Sequence, residues 1–411
     1  MTSAAIVAAI SRPVAPRAGA PPGAVLLGAD YRALGAVRSL GRRGIDVVVL
    51  REPEEPLAAL SRYASRGISW PAGDDATRIA FLLELADREG LAGWALIPSA
   101  DTTAALVARH HDVLAEHFVL TSPAWPVLSW AYDKRLTYEL AERLDIAAPR
   151  TARPRSAAEA AAVDVGFPAI LKPAVKEGLN RLTAAKAWRV DGPQELAARW
   201  AEAASLVDAD VLLVQELVPG ARDSQFSYVA LCEEGEPRAA LTARRTRQYP
   251  ADFGRASTYV ETVSCPELVA PSERLLRELR FSGLVEVEYK RDARDGVLKL
   301  LDINPRLWGW QSLCGRAGVD FPWLLWRQVS GEPPSRVMAR DGVGWLRLST
   351  DTPTALRELA GGRLGWREYA RSLRGPREAA IFARDDPMPG LSELPLLAFV
   401  LGRRLLRGQG V

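Results

Sequence analysis

Oxygen-bearing and cationic side chains crowd one late stretch of this 411-residue chain, GLVEVEYKRDARDGVLKLLDINPRLWGW. Read as a strand, residues 285–289 alternate so that Val285, Val287 and Tyr289 take one face while Glu286 and Glu288 take the other. A turn over residues 292–296 returns the chain into VLKLLDIN, where Asp302 and Asn304 also share a face. Folded as a hairpin, the two strands bring Glu288, Asp302 and Asn304 together at one end, an all-oxygen set suited to Mg²⁺. Clustered carboxylates repel unless a cation lies between them, and Asp, Asn and Arg on an apolar strand are costly to bury without partners. Arg306, just after Asn304 and Pro305, adds a permanent positive charge able to hold a phosphoryl oxygen or a substrate carboxylate.

Cations upstream give such a site its counterpart. Lys134 stands in a Tyr-Asp-Lys step ahead of an amphipathic helix over 135–144, and Lys172 sits in the ILKP of a strand over 165–175. Lys186, Arg244, Arg247 and Arg255 read first as solvated surface and second as contacts to a substrate. Trp308 and Trp310, flanking Gly309, read as packing and secondarily as a substrate wall.

Other chemistries lack their residues. Gly28 and Gly35 are too far apart for a GxGxxG dinucleotide fingerprint, and no GxxxxGK[ST] phosphate loop occurs. Gly28 reads as a tight strand-to-helix turn, with a small anion at that helix start as the second reading. The three histidines, His110, His111 and His117, share one short stretch, which excludes a histidine-based triad or facial metal site and suits the end of a surface helix. Three scattered cysteines without CxxC spacing give neither a disulfide framework nor a zinc site and point to the reducing cytoplasm. With 53 Lys plus Arg against 50 Asp plus Glu, the formal charge of +3 argues against a nucleic-acid partner.

The elements that must hold these groups follow from periodicity. AVLLG, a helix ended by Gly44 and IDVVVL form a β-α-β opening, and WALIPSA reads as another strand with Asp101 capping the next helix. The expectation is an α/β protein that opens with a parallel sheet. KEGLNRLTAAKAWRV reads as a hairpin, 211–220 as an apolar strand entering a turn, 224–244 as antiparallel strands and QYPADFGRAST as a loop. The closing LPLLAFVLGRRLLRG reads as a helix packed on the body, with a weak peripheral membrane contact as the second reading.

Taken in order, these motifs resemble the ATP-grasp superfamily over roughly residues 24–331, most closely its carboxylate-amine ligase group that includes D-aspartate ligase. The resemblance implies an ATP-grasp fold with a Rossmann-like pre-ATP-grasp domain. Expected boundaries are a disordered extension at 1–23, the N-terminal domain at 24–125, the ATP-grasp domain at 126–331 with a lid near 150–220, and a helical extension at 332–411. It implies that Lys134 and Lys172 contact phosphates, that Gln215, Glu216 and Val218 lie on the hinge strand that holds adenine, and that Asp223, or by strand phase Gln225, meets ribose. It implies Mg²⁺, or Mn²⁺, on Glu288, Asp302 and Asn304, and catalytic roles for Lys172 and Arg306. Asp302 replaces the commoner Glu, and the loop with Gly178 is poorer in Gly and Ser than the family's. The expected activity is amide formation from a small-molecule carboxylate and an amine through an acylphosphate. Bicarbonate activation and an inactive nucleotide-binding regulator are the alternatives.

Overall fold

The computed structural model describes residues 20–52, 55–175, 178, 180–221, 223–249, 256–332, 337, 339–375 and 377–406, with side chains through 398. Arg255, most of the QYPADFGRAST loop and all but the last four residues of the expected N-terminal extension lie outside that set.

Five parallel strands open the chain: β1 (Gly23–Leu27), β2 (Asp46–Arg51), β3 (Arg66–Ser69), β4 (Ala95–Pro98) and β5 (Val119–Leu120), in the order β3-β2-β1-β4-β5. The inner strands β1, β2 and β4 are covered on both faces, so they carry continuous apolar runs rather than an alternation. Val25, Leu27, Val48 and Leu50 pack under Leu82, Leu85 and Phe118, while Ala24, Leu26, Val47 and Val49 meet the helix Tyr31–Gly41 and a core shared with Trp308, Trp310 and Leu313. Gly28 has φ of +123°, and a Cβ there would lie 2.2 Å from Ser99 Oγ, so glycine is required at this turn. Asp101 is the first residue of the helix Asp101–Arg109 and not its cap; Ala100 occupies that position, and the Asp101 carboxylate is drawn away to Arg306.

A four-stranded sheet follows, from β6 (Thr151–Ala152), β7 (Ala169–Pro173), β8 (Trp188–Val190) and β9 (Leu212–Glu216), in the order β6-β9-β7-β8. One face, with Ala169, Leu171, Leu212 and Val214, closes on the helix Pro193–Ala204 through Leu196 and Trp200. The expected hairpin between β7 and β8 carries a short helix, Arg181–Ala185, because Asn180 and Thr183 cap it reciprocally and give its backbone local partners.

The largest sheet joins β10 (Gln225–Glu233), β11 (Glu236–Tyr249), β12 (Ala256–Thr262), β13 (Gly283–Arg291), β14 (Leu298–Asn304), β15 (Gly344–Leu346) and β16 (Arg377–Ala379) in the order β14-β13-β10-β11-β12-β15-β16. Val285, Val287 and Tyr289 bury against Leu275, Leu276 and Phe281, which turns Glu286 and Glu288 to the other face. The segment expected as a helical extension, 332–411, also holds β15 and β16, which extend this sheet.

Candidate functional site

The cleft floor is a grid set by strand register. Lys299, Lys290, Gln225 and Arg245 lie in one row across β14, β13, β10 and β11. Asp302, Glu288 and Ser227 form the next row, and Asn304, Glu286 and Val229 the third. A bulge on β14, between the Glu288/Asp302 and Tyr289/Leu300 pairs, keeps Asp302 and Asn304 in phase with the two glutamates. Asn304 Nδ2 donates to Glu288 Oε1 at 2.8 Å and to Glu286 Oε2 at 3.2 Å, which joins Asn304 to the carboxylate that faces Asp302 in register.

The roof comes from β7, β9 and the helix Lys134–Arg143. On β7, Ile170 and Lys172 face opposite to the buried Ala169 and Leu171, which aims the lysine down at the grid. Lys172 Nζ donates to Gln215 Oε1 at 2.8 Å and to Tyr138 Oη at 3.0 Å, and Tyr138 Oη donates to Leu301 O at 2.9 Å. Lys134, the first residue of its helix, has Asp133 as N-cap and reaches Asp302 Oδ1 at 2.6 Å. Roof and floor enclose a cleft of about 850 Å³, its open mouth included, lined by Lys134, Lys172, Lys186, Arg245, Glu288 and Asp302 among others.

Electrostatics in the cleft follow from burial and neighbours. Burial, and then the charge of Lys134, push the Lys172 ammonium down to about 7, with Asp302 opposing. Burial acts most strongly against the Lys134 charge, but Asp302, with Tyr138 and Asp101, together raise it. Burial and the neighbouring Glu288 push Glu286 up, toward its protonated form, and Ser227, Trp310 Nε1 and Asn304 surround it with hydrogen bonds. For Glu288 burial acts the same way, but Arg245, 3.3 Å away, and Lys186 prevail and hold it low. The two glutamates of one strand face are thus a protonation-prone buried member and an ionised one at the cleft.

Other expected residues meet different fates. Gln215 and Val218 line the cleft, but the Glu216 carboxylate is occupied by Lys299 Nζ at 2.6 Å, Arg294 Nη2 at 2.8 Å and Arg150 N at 3.0 Å. Asp223 lies outside the cleft in an adjoining groove, half exposed and 3.8 Å from Arg244, whereas Gln225 lines both spaces. Arg306 bridges Asp101 Oδ1, at 2.8 Å from Nε, and Asn304 Oδ1, at 2.9 Å from Nη2. Lys186 lines the cleft; Arg244 pairs with Glu261; Arg247 is buried against Asp351 and is structural. Trp308 and Trp310 are core residues. Arg245 and Lys290 line the cleft without having been anticipated there; for Lys290 the signal was available, because it continues the Glu286–Glu288 alternation.

The donor chemistry fits a hard divalent ion. Glu288 and Asp302 are directly opposed carboxylates, and the charge of Asp302 acts on Glu288. Among the described residues no group of three His, Cys, Asp or Glu side chains gathers, so Mg²⁺ here would draw on two carboxylates and complete its shell from a ligand, its usual habit with phosphates.

The family described as "ATP-grasp in the biosynthetic pathway with Ter operon" matches residues 209–348, which span the hinge end of β9 and the whole acidic hairpin. No curated protein matches the chain. Among solved structures, Rhizobium etli pyruvate carboxylase superposes with a TM-score of 0.60 at 17% identity over 76% of this chain, which spans only 28% of that longer protein. Campylobacter jejuni biotin carboxylase gives 0.60 at 14% identity, covering 75% of this chain and 71% of its own. L-amino acid ligase from Bacillus licheniformis gives 0.59 at 14% identity, covering 75% and 76%.

Proposed function

We propose that this protein, a member of the ATP-grasp superfamily, is an ATP-dependent carboxylate-amine ligase. The observation that carries the reading is the convergence of Lys134, Lys172, Glu288 and Asp302, from one helix and three strands, on a single cleft. Ammonium groups on one side and oxygen donors on the other suit a triphosphate with its metal, and phosphoryl transfer asks for little else than positioning and charge stabilisation.

A carboxylate oxygen of the first substrate attacks the γ-phosphorus, the bond from phosphorus to the β–γ bridging oxygen breaks, and ADP leaves. The amine of the second substrate then attacks the acyl carbon of the acylphosphate. Phosphate departs, the nitrogen gives up a proton to solvent, and an amide remains. In this scheme Lys134 and Lys172 hold phosphate oxygens, and Gln215 and Tyr138 hold the Lys172 ammonium in line. The backbone of residues 216–218 borders adenine, while the Glu216 side chain serves the hinge instead of the base. Arg306 steadies Asn304 and adds positive charge beside the transferred group. Mg²⁺, held by Glu288 and Asp302 beside Asn304, supplies charge neutralisation for the triphosphate.

The similarity to a biotin carboxylase keeps bicarbonate activation as the second reading. The test is ADP release measured with a panel of amino acids and dicarboxylates, with and without bicarbonate, followed by product mass. Release that needs both a carboxylate and an amine, with a product lighter than their sum by one water, supports the ligase. Release that needs bicarbonate supports the alternative, and none under any condition leaves a nucleotide-binding protein without turnover.

A further inference from the structure

Over residues 388–398 the last helix, Met388–Leu406, seats one face on the body and turns another apolar face to solvent. On the seated face Glu393 accepts from Arg347 Nε at 3.2 Å and from Ser349 Oγ at 2.5 Å, and Leu396 packs against the main core. On the outward face Leu391 is 64% and Leu394 69% exposed, with Pro395 and Ala398 exposed beside them. Leu348 and Phe382, also more than half exposed, border the groove that Leu394 lines. The spacing 391, 394, 398 continues in the sequence as Leu401 and Leu405, an apolar stripe of helical period. A helix apolar on both faces calls for a second covering surface.

We infer that this outward face lies on the surface of an anionic lipid bilayer. From Leu394 to the end the sequence contains Arg403, Arg404 and Arg407 and no Asp or Glu, so its charge complements acidic headgroups while the leucines enter the acyl boundary. The same charge disfavours a second copy as the covering partner, because apposed copies would bring like-charged segments together. No described helix is long and apolar enough to cross a membrane, so the geometry is one of lying on the surface. The ligase reading plays no part in this argument.

Flotation of the full-length protein with vesicles of pure phosphatidylcholine, and of phosphatidylcholine mixed with phosphatidylglycerol, tests the inference. Binding is expected to the mixed vesicles alone and to weaken at high salt. The pair Leu391→Ser with Leu394→Ser, and separately Arg403→Glu with Arg404→Glu, should each lower the bound fraction by about tenfold or more. Thermal melting unchanged from the parent shows that these variants fold. Absence of binding to both vesicles, or binding undiminished in the variants, overturns the inference. So does a lipid-free dimer that the leucine changes abolish, since the face would then belong to a second copy.

Discussion

Lys134 Nζ lies 2.6 Å from Asp302 Oδ1, an ion pair that joins the start of a helix to a strand 168 positions later. The pair spans the cleft, so each group lends the other the countercharge that a metal-bound triphosphate would supply. Asp302→Asn keeps the shape and removes the charge. It should raise the Mg²⁺ concentration for half-maximal ADP release at least about tenfold and lower turnover by roughly 10²-fold, the scale of one lost preorganised contact. A metal titration identical to that of the parent would remove Asp302 from the metal site.

Lys172 gives the cleft a pH dependence with a definite sign. Its folded-state value of about 7 is below the unfolded value, so the unfolded chain binds more protons between the two. The unliganded protein therefore gains stability as pH rises from about 7 toward roughly 10.4, and the cost of the buried charge is constant below that window. A bound triphosphate needs the ammonium, so nucleotide binding takes up a proton, and affinity should fall with pH above 7 by up to about tenfold per unit. Calorimetry in buffers of different ionisation enthalpy reads the uptake directly. Lys172→Met should abolish both the uptake and the slope; a slope that persists in this variant assigns the effect to another group.

How much of the cleft could be read from the chain depends on how local each signal is. The alternation of residues 283–291 sorts Glu286 and Glu288 from Val285 and Val287 without knowledge of any partner, and DINPR on an apolar strand announces buried polar groups. The parallel opening sheet was legible for the same reason, since its strands are short apolar runs between helices. Arg245 carries no such mark, because its partner Glu288 lies on another strand and only the β11-β10-β13 register brings them within 3.3 Å. Glu216 was read as a ligand for the base because its partners, Lys299 and Arg294, belong to the distant β13–β14 hairpin. The strands β15 and β16 are three residues each, too short for any period to show.

Glu216 ties the four-stranded sheet to that hairpin, and its loss should be felt in stability. Burial opposes its charge, but Lys299 and Arg294 hold its carboxyl down to about 2. Its contribution is present above the unfolded value near 4.3 and is lost as pH falls from there toward 2. Lys299→Met would leave the buried carboxylate of Glu216 to Arg294 and Arg150, and that of Asp292 to Arg294. The expected cost is about 3 kcal/mol, a fall in Tm of roughly 3–4 °C for a chain of this length, read by thermal melting at neutral pH. An unchanged Tm would mean that Arg294 and Arg150 suffice.

Arg306 connects the helix Asp101–Arg109 to the end of β14 through its fork. Nε and Nη2 face the Asp101 carboxylate at 2.8 and 3.3 Å, and Nη2 also donates to Asn304 Oδ1 at 2.9 Å, so one guanidinium fixes the orientation of the Asn304 amide against that helix. A lysine carries the charge but cannot span both partners. Arg306→Lys should therefore lower turnover by roughly 10²-fold while leaving the nucleotide dissociation constant within about twofold, because the phosphate-facing lysines are untouched. Asp101→Asn, which loosens the same fork from the other side, should cost about tenfold. If Asp101 acts through Arg306, the double variant will be no slower than Arg306→Lys alone, since removing the orienter of a group already lost changes nothing further. Independent, multiplying losses in that cycle would show that Asp101 meets a substrate itself, and a weakened nucleotide affinity in Arg306→Lys would assign the arginine to binding ATP in place of orienting Asn304.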